Sequence, residues 1–210
     1  MSTERNRQTQ EEIKVSVDTR QKILHIAKQL FNERGINEVS IADIASSVGI
    51  SKGNLTYHFA RKEAIVEALV LESTTMPPLQ PASSLGGLLS LIEHMQSVVQ
   101  DNVYYFRHYA QIAQMVPRVA QQQRKAFSFF RAVMMQSFMN LGELGLVDQS
   151  KKLEEFDSVI DAVFMTCVFW LPFSELKGKS SQANGLTQCE FYLKAILTEE
   201  GLQELNKVHG

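Results

Sequence analysis

Apolar residues recur along this chain at three- and four-residue intervals and nowhere alternate over the length of a strand, so the pattern predicts helices throughout. Ile23, Ala27, Leu30 and Phe31 share one stripe, with Asp18 or Thr19 as the cap before it and Gly35 as its end. Ile41, Ile44, Ala45 and Val48 form a short second stripe between Ser40 and Gly49. A third helix opens at Ser51 and turns Leu55 and Phe59 inward. Ala64, Ile65, Ala68, Leu69 and Leu71 continue a fourth, which must stop before Pro77, Pro78 and Pro81 because proline removes a donor and disfavours helix at the residue before it. From Ser83 the breaks are Pro117, the Gly142/Gly145 pair, Pro172 and the polar stretch Lys177 to Asn184. They leave helices at about 84–100, 102–116, 118–141, 151–175 and 187–206, with Pro172 expected to kink or end the fourth of these. The fold class expected is all-α: a mobile arm at 1–17, a helix-turn-helix unit with its linking helix at 18–75, and a helical bundle at 82–210.

The helix pair between Ser40 and Lys62 carries the candidate chemistry. Gly49 can take the positive φ of a sharp turn, Ile50 plugs the turn from below, and the small Ala45 lets two helices cross closely. The outward face of the second helix offers Lys52, Gly53, Asn54, Thr56, Tyr57 and His58, a set of donors, acceptors and one ring with no carboxylate. No Asp or Glu occurs from Ser46 to Lys62, whereas Lys52, Arg61 and Lys62 are cationic, so a phosphate backbone would tolerate this surface. An ordinary αα-hairpin with a solvated polar face has the same pattern.

These residues fall in the order of a known family. Leu30-Phe31 with Gly35, Ile44-Ala45 with Gly49, Ser51-Lys52-Gly53, Leu55, Tyr57-His58-Phe59 and Lys62-Glu63 make the stretch from Thr19 to about Leu69 resemble the N-terminal domain of the TetR family of bacterial transcriptional regulators. Asn54 and Thr56 stand where the family often has Thr and Tyr, so the base preference of relatives does not transfer. The resemblance implies a homodimer that reads double-stranded operator DNA with two copies of residues 41–60. It also implies a repressor released by a small apolar or amphiphilic effector. The DNA-binding set expected is Arg20, Ser40, Ile41, Ser51, Lys52, Gly53, Asn54, Thr56, Tyr57, His58 and Lys62. Within it Lys52, Tyr57, His58 and Lys62 meet phosphates, Gly53 permits close approach, and Asn54 and Thr56 reach for base edges.

Charge refines this picture. Across 210 residues the net charge is −2 and the sequence pI is near 6.2, which excludes a polycation that binds nucleic acid in bulk. Residues 1–63 nevertheless carry +2 and the remainder −4, so the basic bias lies at the N-terminal end. Cys167 and Cys189 form no C-x-x-C, which argues against a zinc site or disulfide framework and fits a reducing cytoplasm. The polar N-terminus is no signal peptide, and no stretch approaches the ~20 apolar residues of a membrane span, so no membrane partner is expected. His25, His58, His94, His108 and His209 are scattered, and there is no H-E-x-x-H, G-x-S-x-G or phosphate-binding glycine loop. No catalysis, cofactor or metal is expected.

The C-terminal helices carry large apolar residues on more than one face, which implies a second buried contact: a neighbouring helix, a partner subunit or a ligand cavity. A ligand-binding cavity is expected among Tyr105, Phe106, Tyr109, Phe130, Met134, Phe138, Phe164 and Trp170, with Arg107, Arg124 and Arg131 available to one carboxylate. The dimer interface is expected on the last two helices, through Phe156, Ile160 and Val163 on one and Phe191 and Ala195 on the other, as family members usually pair. Two other readings stay open: a DNA-binding regulator with no effector, and an all-helical adaptor that binds only proteins.

Overall fold

Helices form wherever the apolar spacing places a stripe, and no strand occurs among the described residues. The structure is a computed structural model that describes residues 2–73, 79–178 and 185–208, with only the backbone of 2–17 and of Ser73. It divides into two compact units, Met1–Thr75 and Met76–Gly210. The prolines at 77 and 78 and most of the polar stretch after Lys177 lie outside the described residues.

In the first unit α1 (Ser2–Arg34), α2 (Ile41–Val48), α3 (Lys52–His58) and α4 (Lys62–Ala68) enclose a core of Ile23, Leu24, Phe31, Ile44, Leu55 and Ile65. α4 runs on as a π-helical turn, Leu69–Ser73. The helix expected to start at Asp18 or Thr19 starts at Ser2, and residues 2–17 contain neither the proline nor the glycine that would break it.

The second unit comprises α5 (Leu85–Asp101), α6 (Val103–Arg107), α7 (Tyr109–Met115), α8 (Pro117–Glu143), α9 (Leu153–Leu176), α10 (Leu186–Leu193) and α11 (Glu199–Val208). α9 packs against α5, α6, α8 and α10. The stretch 102–116 breaks at His108 into two short helices, and α8 opens with Pro117 in its first turn, where a missing N–H costs nothing. α9 continues through Pro172 to Leu176. By length and composition α9 could cross a membrane; Val159, Ile160, Val163 and Cys167 are buried in the core of this unit, so packing accounts for that stripe of its apolar residues. Cys167 and Cys189 are both free and buried.

The single helix expected at 187–206 is instead α10, a 3-10 turn at Lys194–Ile196, and α11. The chain extends at Leu197, which forms an antiparallel bridge with Val147. Asp148 N donates to Ile196 O (2.9 Å) and Thr198 N to Leu146 O (3.1 Å). Thr198 then starts α11: its hydroxyl donates to Gly145 O (2.7 Å) and accepts from Gly201 N (3.0 Å). Thr198-Glu199-Glu200 is an N-cap followed by two acids, the local signal that apolar periodicity passes over.

Candidate nucleic-acid interface

The helix pair is built by local chemistry at each of its ends. Ser40 Oγ accepts from Asp43 N (3.2 Å) while the Asp43 carboxylate accepts from Ser40 N (2.8 Å), a capping box that starts α2. The Ser40 hydroxyl donates to the Asp43 carboxylate (2.5 Å), and this bond, with the one from Ser40 N, holds the Asp43 carboxyl below the usual carboxylate range. At the other end Gly49 takes φ 80, and its N–H together with that of Ile50 donates to Ala45 O (3.0 Å each). Ser51 Oγ accepts from Asn54 N (3.1 Å) and starts α3. Ile44, Ala45, Val48, Leu55 and Phe59 are buried, so the crossing of α2 and α3 is fixed from within.

What remains outside is the face read from the sequence. Ser40, Ser51, Lys52, Gly53, Asn54 and Tyr57 are exposed, while Ile41, Thr56 and His58 are half-buried. Tyr57 is 82% exposed and meets His58 edge to face, with ring centroids 5.3 Å apart. So large an exposed ring on a seven-residue helix has no packing role in the unit. The Thr56 hydroxyl turns back to Lys52 O and Gly53 O, both at 3.0 Å, which spends its proton on the helix itself and leaves only lone-pair and methyl contacts for a partner. Gly53 has an ordinary negative φ, and a Cβ placed there would find only Ser51 Oγ, at 3.8 Å. Glycine in a helix costs about 1 kcal/mol relative to alanine, and nothing inside the protein requires it here.

Two residues expected at the DNA are occupied elsewhere. Lys62 Nζ donates to Ile36 O (2.7 Å) and Val39 O (3.0 Å), tying the connection between α1 and α2 to the start of α4. Arg20 spans Glu72 with both of its terminal nitrogens, at 2.6 Å each, and lies over the Phe59 ring. Neither partnership has a signature in the sequence, because each joins residues far apart in the chain. We expect Lys62→Met to lower the unfolding free energy of the first unit by about 1–3 kcal/mol, since it leaves two carbonyls in a half-buried place without a donor. Urea unfolding without DNA checks this, and wild-type stability would return Lys62 to the phosphate-contact role.

In the second unit the expected ligand-binding residues separate into groups. Tyr105, Phe106 and Tyr109 pack on one another, Tyr109 meets Phe169 edge to face, and Gln123 Nε2 donates to Tyr105 OH (3.2 Å) and Tyr109 O (2.9 Å). Burial pushes the Tyr105 hydroxyl up to about 12, partly offset by Gln123. Phe164 meets both Phe127 and Phe130, while Phe138 meets Phe156 and Met134 is fully buried nearby in the core. Trp170 stands apart, lining an open groove of about 520 Å³ with Met165, Phe169, Phe173 and Tyr192. The expected interface residues also divide. Ile160 and Val163 are fully buried in their own unit, so that stripe of α9 is core and cannot meet a second copy. Phe191 and Ala195 are exposed, Phe156 is half-buried, and the outward side of α9 is Ala162, Met165, Phe169 and Phe173.

Comparison with known proteins agrees with the first unit. Residues 23–69 match the family model described as bacterial regulatory proteins, tetR family. The HTH-type transcriptional regulator UidR of Escherichia coli (strain K12) is 41% identical over 54 residues, 26% of this chain and 28% of UidR, so the match spans less than a third of that relative. In fold the chain is similar to a TetR-family transcriptional regulator from Marinobacter aquaeolei VT8, with TM-score 0.74 and 23% identity over 90% of this chain and 97% of that one. It is also similar to the protein of the SmeT-triclosan complex, with TM-score 0.55 and 17% identity over 87% and 93%. UidR and the Marinobacter protein are transcriptional regulators, not enzymes.

Proposed function

From an N-terminal unit of the tetR family of bacterial regulatory proteins, we propose that this chain is a sequence-specific DNA-binding regulator of transcription. Its form is a cytoplasmic homodimer that represses from an operator and is released by a small apolar or amphiphilic molecule. The observation that carries the DNA-binding reading is the outward face of α3: exposed, free of carboxylate, and containing a glycine that no internal contact explains. A backbone with no side chain lets a duplex approach α3 closely, with Lys52, Tyr57 and His58 beside it for phosphates and Asn54 for a base edge.

Selection of bound fragments from random double-stranded DNA, followed by affinity at several salt concentrations, tests this. Lys52→Ala should weaken binding to every fragment alike and lower the slope of log affinity against log salt by about one. Asn54→Ala should relax preference at one base pair, a loss of about 1–3 kcal/mol confined to the selected sequence. A wild-type protein with no salt-sensitive affinity for any fragment would leave the adaptor reading in its place.

The homodimer is supported by the outward apolar side of α9 and α10, where Met165, Phe169, Phe173 and Phe191 stand exposed. One reading helix covers only a few base pairs, and two related by a two-fold axis read a pseudo-palindrome. The effector is supported by the aromatic groups on α6 to α9 and by the SmeT-triclosan complex, a protein of this fold with a small aromatic molecule. Arg107 is paired with Glu175 and Arg131 with Asp157 (2.6 Å), so two of the three cations available to a carboxylate are spent and a neutral molecule fits better than an acid. Tenfold weaker DNA binding requires the effector to favour the DNA-free state by about 1.4 kcal/mol.

A further inference from the structure

We propose that Arg20 and Glu72 form a latch that sets the reading helix by the winding of the end of α4, and that DNA binding requires the latch closed; this rests on the DNA-binding reading above. One guanidinium touches three elements. It is carried by α1, it lies 5.0 Å from the ring centroid of Phe59, and it spans both carboxylate oxygens of Glu72 at 2.6 Å. Phe59 is the buried residue that ends α3, its N–H donating to Leu55 O (2.9 Å). Glu72 sits on the π-helical turn Leu69–Ser73.

The geometry makes the contact sensitive to winding. A planar two-pronged pair holds only while the carboxylate faces the guanidinium squarely. A π turn takes up an extra residue relative to an α turn, and each α-helical residue advances the chain by about 100°, so rewinding this turn would swing Glu72 away from Arg20. Phe59 would then lose the cation above its ring, and the C-terminal end of α3 would lose its tether to α1 and α4. The π turn is also the last described piece of the first unit in sequence before the second begins at Met76. The pair contributes little to stability, because the side chains are 32% and 45% exposed and water screens them. Its effect lies in preorganisation, and in this role Arg20 is a positioning residue rather than a phosphate contact.

The test uses Glu72→Gln, Arg20→Lys, the double substitution of those two, and Arg20→Gln in the full chain, with the fragment selected by the wild-type protein as probe. Glu72→Gln keeps the shape and loses the charge; Arg20→Lys keeps the charge and loses the fork. Each single variant should bind about three- to tenfold more weakly with an unchanged salt slope, the double variant should be no weaker than the worse single one, and thermal unfolding should stay near wild type. Variants that bind as the wild type does would overturn the latch. So would tighter binding by Glu72→Gln together with a salt slope lowered by about one in Arg20→Gln, because Arg20 would then be a phosphate contact that Glu72 merely occupies. A wild-type protein that selects no fragment overturns the DNA-binding reading and the latch together, whereas wild-type binding with unaffected variants overturns the latch alone.

Discussion

A chain carrying Phe191→Glu is expected to sediment as a folded monomer and to hold its selected DNA at least about a hundredfold more weakly, a loss of about 2.7 kcal/mol. Phe191 is 66% exposed on α10, and across from it α9 turns out Met165, Phe169 and Phe173. An apolar surface of this kind on a helical unit marks a contact with another molecule. If that molecule is a second copy, a glutamate at 191 must lose its water on entering the interface, at a cost of several kcal/mol per subunit. The fold itself should not suffer, because the side chain already stands in solvent. The DNA effect follows from geometry: a monomer reads one half-site and forgoes the added energy of the second. Sedimentation and circular dichroism on the same sample decide the matter. A folded variant that remains dimeric would move the interface off α10.

Gly201→Ala should destabilise the second unit by about 2–4 kcal/mol, lowering its unfolding midpoint by roughly 5–15 °C. In an unconstrained helix the same exchange would stabilise by about 1 kcal/mol, so the expected sign is the reverse of the intrinsic one. The reason is the place: a Cβ on Gly201 would lie 2.1 Å from Leu146 O, a backbone atom that cannot rotate away. Leu146 O accepts from Thr198 N, and α11 is anchored by Leu205, which is fully buried, so relief requires breaking that bond or lifting α11. Gly86→Ala on α5 is the control, since nothing lies within 4 Å of a Cβ there. Thermal unfolding of the two variants side by side checks the claim; a Gly201→Ala chain as stable as Gly86→Ala would refute it.

The sequence was most legible where local chemistry decides the structure. Ser40, Gly49 and Ser51 announce the ends of α2 and α3 because capping oxygens and a positive φ act within four residues. The face of α3 was legible for the same reason: on so short a helix the buried Leu55 fixes where Lys52, Asn54 and Tyr57 must point. What stayed hidden depends on residues far apart. Lys62 and Arg20 look like free cations in sequence, yet their partners lie up to 52 positions away. On α9, apolar residues occupy nearly every direction, so periodicity could not tell the stripe of Ile160 and Val163, which is core, from that of Met165 and Phe169, which faces solvent. Thr198 was passed over because α10 and α11 continue one apolar rhythm across the break.

The bridge between Val147 and Leu197 bears on the order in which the molecule is made. It closes a loop of about fifty residues, and α11 can dock only once that loop is shut. The helices of the first unit are joined by short connections, and their contacts are available as soon as residue 75 has left the ribosome. The second unit must wait for Leu197 and Leu205. Until residues 196–208 emerge, α5 lacks α11, which packs against it, and the segment after α8 lacks its bridge partner. A chain cut short before Thr198 would carry a finished reading head on an unfinished bundle, the combination most exposed to aggregation and proteolysis.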